Sequence, residues 1–339
     1  MKRALRLGIS LGLSGLFLWF AFHNVDLDTM WAQLRQVRWW AVVAFALLTM
    51  LIQLCRILRW EVLVRPFVKI STPTLFRVSG LGLMLIMVLP LRLGEFARPY
   101  LLKKETGAPF SAGVGSVVVE RAMDGLLVTV LFFLTTFLLG ASHPVPRPLM
   151  AAAVAALLFF AAVTVVIIFA LITEARTLAL VRRLGTPLAP RLTERAVGML
   201  GAFVVGLRSL PDVRALAVFI GYTLIYWAAN GWGMYLVMRG MGWDVPLLAG
   251  FTIVCVLVIG IMIPAGPGHL GTFQGALLAG LSIFNIGASE AAAYGMVIYP
   301  LTLLVIIAFG VPYLFGHGGE VSEIMRASAA AEEGAAGPS

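Results

Sequence analysis

The residues of this chain that could do chemistry gather in three short stretches. The first, P-L-R-L-G-E-F-A-R-P-Y-L-L-K-K (90–104), carries Arg92, Glu95 and Arg98 just after an apolar run that stops at Pro90. The second, V-V-V-E-R-A-M-D-G (117–125), carries Glu120, Arg121 and Asp124. The third, P-A-G-P-G-H-L-G-T-F-Q-G (264–275), carries Gly266, Gly268, His269, Gly271 and Gln274. Arginines in a wet cleft can hold a phosphate through paired, charge-assisted hydrogen bonds, and an acid beside them can release the ligand or take a proton. The glycines permit a tight turn whose free N–H groups, with the next helix N-terminus, would face an anion. The same spacing also allows a purely structural role. Glu95 and Arg98 are one helical turn apart, as are Arg121 and Asp124, so salt bridges alone could use them. His269 fits a hydrogen-bonded packing role better than a proton site.

Other chemistries lack their residues. There is no HExxH, no Walker motif and no serine-centred elbow, so the chain does not read as an enzyme. Gly266-x-Gly268-x-x-Gly271 has the dinucleotide spacing but follows an apolar helix and not a strand. Asp26-Leu27-Asp28 has the spacing of a sugar-nucleotide metal motif but sits in a short loop without a nucleotide fold. Cys55 and Cys255 lie inside apolar runs and read as small buried residues. No cofactor or metal is expected. The net charge of +9 comes mostly from arginines in loops, which points to cytoplasmic loops of a membrane protein and away from nucleic acid.

The elements that must position these stretches are membrane helices. Sixty per cent of the 339 residues are hydrophobic and 12% charged, a balance that no soluble domain shows. Spans are expected at 5–22, 39–60, 111–139, 149–172, 213–238 and 291–315, with an interfacial helix at 23–38 capped by Asp28. Arg56 and Arg59, near the end of the second span, read as snorkelling to the headgroups ahead of the alternative that they face the cavity. Segments 74–102 and 246–286 are broken by Pro and Gly: Pro90 precedes Gly94 by four residues, as Pro264 precedes Gly268. If both crossed fully, Lys103, Lys104 and the arginine-rich loop 173–212 would lie outside. If each enters and returns on one side, every basic loop is cytoplasmic. The expected fold is thus all-α and polytopic, with six full spans and two re-entrant hairpins. Unit 39–139 would recur upside down in 213–315, and inverted repeats of this kind surround midplane transport sites. One transmembrane domain (1–316) would comprise half one (39–172), an amphipathic cytoplasmic connector (173–212) and half two (213–316), before a disordered cytoplasmic tail (317–339).

The motifs P-L-R-L-G-E-F-A-R-P, V-E-R-A-M-D-G and P-A-G-P-G-H-L-G-T-F-Q, in that order, resemble the flippase-like transmembrane domain of bacterial lysylphosphatidylglycerol synthases. Similar domains occur in stand-alone membrane proteins and in an archaeal glycosyltransferase of the dolichol pathway. The resemblance covers about residues 5–316. It implies an inner-membrane lipid flippase with two re-entrant helices, both termini cytoplasmic, and a phospholipid or lipid-linked substrate. Arg92, Glu95, Arg98, Glu120, Arg121, Asp124 and the loop 264–274 would then line the cleft. The chain departs from the resemblance twice. The soluble aminoacyl-transfer domain of the full-length synthases is not in this sequence, and Gln274 stands where many relatives carry Glu. The alternative reading is a non-transporting accessory subunit that docks a lipid-modifying or glycosyl-transferring membrane enzyme.

Overall fold

A computed structural model describes residues 25–88, 94–185, 190–208, 213–262, 267–311 and 314. The expected first span (5–22), the tail (317–339), Arg92 and Gly266 lie outside the described residues. Within them every regular element is helical: α1 (Leu27–Gln36), α2 (Trp39–Val64), α3 (Thr72–Val88), α4 (Ala97–Thr106), α5 (Phe110–Leu139) and α6 (Arg147–Ile172). They continue with α7 (Glu174–Gly185), α8 (Pro190–Leu207), α9 (Val213–Gly240), α10 (Leu247–Ile261), α11 (Thr272–Leu281) and α12 (Ala288–Gly310). Helices α2, α5, α6, α9 and α12 are long and apolar enough to cross a membrane, and they match five of the expected spans. The chain is a multi-pass membrane protein.

Local sequence accounts for the element ends. Helix α1 is capped by Asp26, not Asp28: the Asp26 carboxylate accepts from Asp28 N–H at 3.2 Å and from the Thr29 hydroxyl at 2.5 Å. Only position 26 stands outside the first turn, where a carboxylate can reach its free N–H groups. The Thr29 hydroxyl and the Asp28 N–H hold the Asp26 carboxyl below its ordinary range. Helix α4 ends at Gly107, whose φ of 74° is the left-handed conformation of a C-terminal glycine stop.

The two broken segments fold back on themselves. At about 1.5 Å per residue, α3 (17 residues) and α10 (15 residues) reach about 25 and 22 Å, short of a ~30 Å hydrocarbon core. In the first, Gly94 lies against the backbone of Leu85 and Ile86, and Gly82 lies against the stem of Arg98. Arg77 on α3 forms an ion pair with Glu105 on α4. Contacts that run 86 to 94, 82 to 98 and 77 to 105 are those of two antiparallel limbs. In the second, Gly260 meets Ala276 and Gly280 meets Val256 and Ile253, again antiparallel. The outer ends of the two hairpins lie at opposite ends of the bundle. Residues 72 and 106 sit with the end of α2 and the start of α5; residues 247 and 281 sit with the start of α12 and the end of α9.

The halves interlock. Helices α2 and α9 run antiparallel, with Arg38 N–H donating to Gly240 O at 3.0 Å and Gly233 facing the Phe45 ring. Limb α3 packs on α12, the closing helix of the other half, and α10 packs on α5 in the same exchanged manner. Small residues let these backbones approach, the main device for helix association where lipid is as apolar as leucine. The connector forms α7 and α8, and α8 docks on α5 through Gly206 against Ala112 and Gly115 against Phe203.

Two apolar cores result. One contains Ile57, Trp60, Leu81, Leu101 and Val119; the other contains Val128, Phe132, Val237, Ile253 and Tyr294. On α5 the ionisable residues 120–124 lie between Val119 of one core and Val128 of the other.

Candidate functional site

Helix α5 supplies the centre of a charged network. The Glu120 side chain is wholly buried, and each of its oxygens is used. Its Oε1 accepts from Arg59 Nη2 and Arg121 Nη2, both at 2.8 Å, and its Oε2 accepts from Arg98 Nη2 at 2.7 Å. Asp124, one turn on, takes Arg59 end-on: Nη1 to Oδ1 at 2.5 Å and Nη2 to Oδ2 at 2.9 Å. Arg121 also lies 3.7 Å from Asp124, the one-turn pair that its spacing forecasts. The indole of Trp227 donates to Asp124 Oδ1 at 3.4 Å. Buried arginines are tolerable only when paired and hydrogen-bonded in this way, because their desolvation costs several kcal/mol each. Aromatic faces add to the pairing. Arg98 lies 4.9 Å over the Trp60 ring, and Arg59 lies 5.0 Å over the Tyr226 ring.

Two expectations about arginines are corrected here. Glu95 does not pair with Arg98. The absent side chain of Gly82 makes room for the Arg98 stem, which runs to Glu120 on α5. Arg59 does not snorkel; it is 0% exposed and lies at the heart of the network. Arg56, one turn earlier, also points inward, onto a cavity wall. Sequence reasoning left both outside the site because an arginine near a helix end gives the same signal whether it faces headgroups or the bundle.

The network borders a cavity of about 510 Å³. Its polar lining includes Gln53, Arg56, Glu95, Arg121, Asp124, Asn230 and His269, while Phe45, Ile86, Met87, Phe160, Trp227, Val258 and Ile306 are among its apolar walls. Both hairpin tips contribute: Met87 and Glu95 from the first, Met262, Gly268, His269 and Phe273 from the second. The tips approach each other at Met87 and Gly268. Gly268 and His269 have φ of 69° and 57°, so the tip turns through the left-handed region, and the Tyr299 hydroxyl fixes it by donating to Gly268 O at 2.9 Å.

The structure brings Glu95, Arg121, Asp124, Gly268 and His269 to the cavity wall. It sets Arg98 and Glu120 behind that wall, with 1% and 0% exposure. The N–H of Gly271, expected to face an anion, donates to Gln274 Oε1 at 2.7 Å, so Gln274 closes the start of α11. Gln274 borders a separate small pocket of about 50 Å³ with Leu277 and Met296. Arg92 and Gly266 lie outside the described residues.

Among the described residues the charges at the cavity do not cancel. Arg59, Arg98 and Arg121 face only Glu120 and Asp124 in the ion-paired network. Adding Arg56 and Glu95 leaves the excess positive charge in place. Such a site favours an anion, the more so because low dielectric screens little.

Comparison with known proteins places the chain among membrane proteins. The family model of the lysylphosphatidylglycerol synthase TM region matches residues 5–310. A UPF0104 membrane protein of Methanothermobacter thermautotrophicus is 23% identical over 277 residues, which cover 78% of this chain and 82% of the relative. A UPF0104 membrane protein of Methanocaldococcus jannaschii is 24% identical over 223 residues, covering 66% and 89%. No solved structure matches significantly. With its family model matched across nearly the whole chain, this protein belongs to the family of the lysylphosphatidylglycerol synthase transmembrane region.

Proposed function

We propose that this chain is a lipid translocator that moves a phospholipid or lipid-linked headgroup between leaflets of the plasma membrane. The observation that carries this reading is the cavity of about 510 Å³, charged on one wall and apolar on the others, held between the tips of two fold-back hairpins. In the proposal the hairpins are re-entrant. The first dips in from the cytoplasmic face and the second from the opposite face, which makes α2–α5 and α9–α12 an inverted repeat around the cavity. The charge pattern supports that orientation. At one end of the bundle Arg35, Arg38, Arg147 and Arg239 are offset by Asp26, Asp28, Asp244 and Glu290, while at the other Arg65, Lys69, Arg77, Lys103, Lys104, Arg176, Arg182, Arg183, Arg208 and Arg214 outnumber Glu61, Glu105, Glu174 and Glu194.

The physical task of such a protein is to lower the cost of taking a charged headgroup through hydrocarbon, several kcal/mol at the least. A cavity of this size accommodates a headgroup, since small-molecule sites typically span roughly 300–1,000 Å³. The acyl chains would stay in the bilayer while the cavity's fixed charges replace the headgroup's water.

The test is reconstitution into liposomes with fluorescent anionic and zwitterionic phospholipids. Faster exchange between leaflets than in protein-free liposomes is the expected result. Exchange no faster than in empty vesicles, for every lipid class tried, would count against translocation.

A further inference from the structure

Among the described residues, Arg56 is the one cavity-facing arginine that the network leaves aside. The acid that acts on it, Glu120, is already ion-paired to Arg59, Arg98 and Arg121. Arg56 makes no hydrogen bond or ion pair among the described residues, and its buried Nε has no partner. The side-chain amide oxygen (Oε1) of Gln53, one turn before it on the same cavity wall, is also buried without a partner. An unpaired guanidinium in a low-dielectric wall is costly to the protein alone and is repaid only when an anion completes it.

A second observation concerns the other end of a lipid. An apolar groove of about 480 Å³ runs between α6 and the second hairpin. Its lining is small and smooth: Ala152, Ala155 and Ala156 on α6 face Gly275, Ala276 and Ala279 on α11. Phe159 and Met262 line both the groove and the charged cavity, so the two spaces adjoin at those side chains. Helix α6 turns most of its surface outward, with Ala153 and Ala156 its only buried residues, so the groove opens toward the lipid. Phe159 is 55% exposed and stands at the junction.

From these we infer that Arg56 is the phosphate anchor of a two-part lipid site, with the phosphodiester on its guanidinium and an acyl chain in the groove between α6 and α11. The inference rests on the translocator reading for its setting and adds the anchor residue and the route: a phosphodiester lipid that enters sideways past Phe159. The chemistry explains both halves. The planar guanidinium offers paired donors matched to two phosphate oxygens. The alanine and glycine lining leaves a channel of chain width, where an acyl chain buries apolar area without displacing a large side chain.

The experiment uses the full chain purified in detergent, with binding read by native mass spectrometry and by thermal shift. The probes are phosphatidylglycerol, diacylglycerol and inorganic phosphate. Phosphatidylglycerol is expected to bind and stabilise. Diacylglycerol, which lacks the phosphate, and inorganic phosphate, which lacks the tail, are expected to bind at least about tenfold more weakly. Arg56→Gln should weaken phosphatidylglycerol by about tenfold or more, with Arg56→Lys recovering part of the loss and confirming that the variant folds. Ala155→Trp with Ala279→Phe, both at exposed groove positions, should weaken phosphatidylglycerol and leave inorganic phosphate unchanged. Wild-type affinity in Arg56→Gln overturns the anchor. Inorganic phosphate binding as tightly as the lipid, with no effect of filling the groove, overturns the lipid half in favour of a free anion. Lipid binding as described, without exchange in the liposome assay, leaves this site standing and sinks translocation alone.

Discussion

At the scale of single residues, Glu120 is the position on which the buried charges depend. It accepts from three guanidiniums, and none of Arg59, Arg98 or Glu120 has measurable contact with solvent beyond 1%. Glu120→Gln keeps the shape and removes the charge, leaving an excess of buried guanidinium. Breaking a buried pair from one side costs about 3–5 kcal/mol. Glu120→Gln should therefore unfold at clearly lower temperature in detergent. Arg121→Gln should be much milder, because that side chain is 35% exposed and its charge is partly screened. Equal melting temperatures for the two variants would contradict the central role of Glu120. Charges in apolar runs are conspicuous in a sequence, so Arg98, Glu120, Arg121 and Asp124 were legible as a group. Of their pairings only Arg121 with Asp124 was. Spacing along one helix nominated Glu95 for Arg98, whereas the chosen partner lies across the hairpin on α5. Arg56 and Arg59 were hidden by an ambiguity of position: near a helix end, snorkelling and inward pairing share one pattern.

At the scale of elements, the breaks were legible and the contacts across them were not. Pro cannot continue a helix and Gly allows the chain to turn, so Pro90–Gly94 and Pro264–Gly268 mark where two apolar runs stop. What the limbs then touch depends on distances that no local pattern carries. Gly94 shows why. A β-carbon there would overlap the Leu85 carbonyl oxygen and the Ile86 backbone, neither of which can rotate away. Gly94→Ala should open the α3–α4 hairpin and destabilise by roughly 1–3 kcal/mol, as overpacking does. Gly221→Ala on α9 is the control, since nothing lies within 4 Å of a β-carbon there. That change should be neutral or stabilising by up to about 1 kcal/mol. Thermal unfolding of both variants in the same detergent decides it, and a Gly94→Ala protein as stable as wild type would show that the limbs are not in tight contact.

At the scale of the whole molecule, the order long helix, hairpin, long helix occurs twice, and each hairpin leans on the other half's closing helix. This order could be anticipated from charge and hydropathy, because basic loops could all be placed on one side only if both broken segments turned back. The exchanged packing of α3 on α12 and α10 on α5 could not, since it joins residues more than 200 apart in one case and more than 100 in the other. Re-entry makes a specific forecast about sidedness. Single cysteines at Lys103, at the outer end of α4, and at Ser282, just past α11, are both exposed positions. The native Cys55 and Cys255 are buried, with 3% and 0% exposure, and give little background. In oriented membrane vesicles a membrane-impermeant maleimide should label Lys103→Cys from the same side as Arg65→Cys, which follows α2. It should label Ser282→Cys from the other side, together with Asp244→Cys between α9 and α10. If the first hairpin instead crossed the bilayer, Lys103→Cys would be labelled from the side opposite Arg65→Cys, and the two halves would no longer be inverted copies. The cavity would then have hairpins from one face only, and a headgroup held there would have no symmetrical second exit.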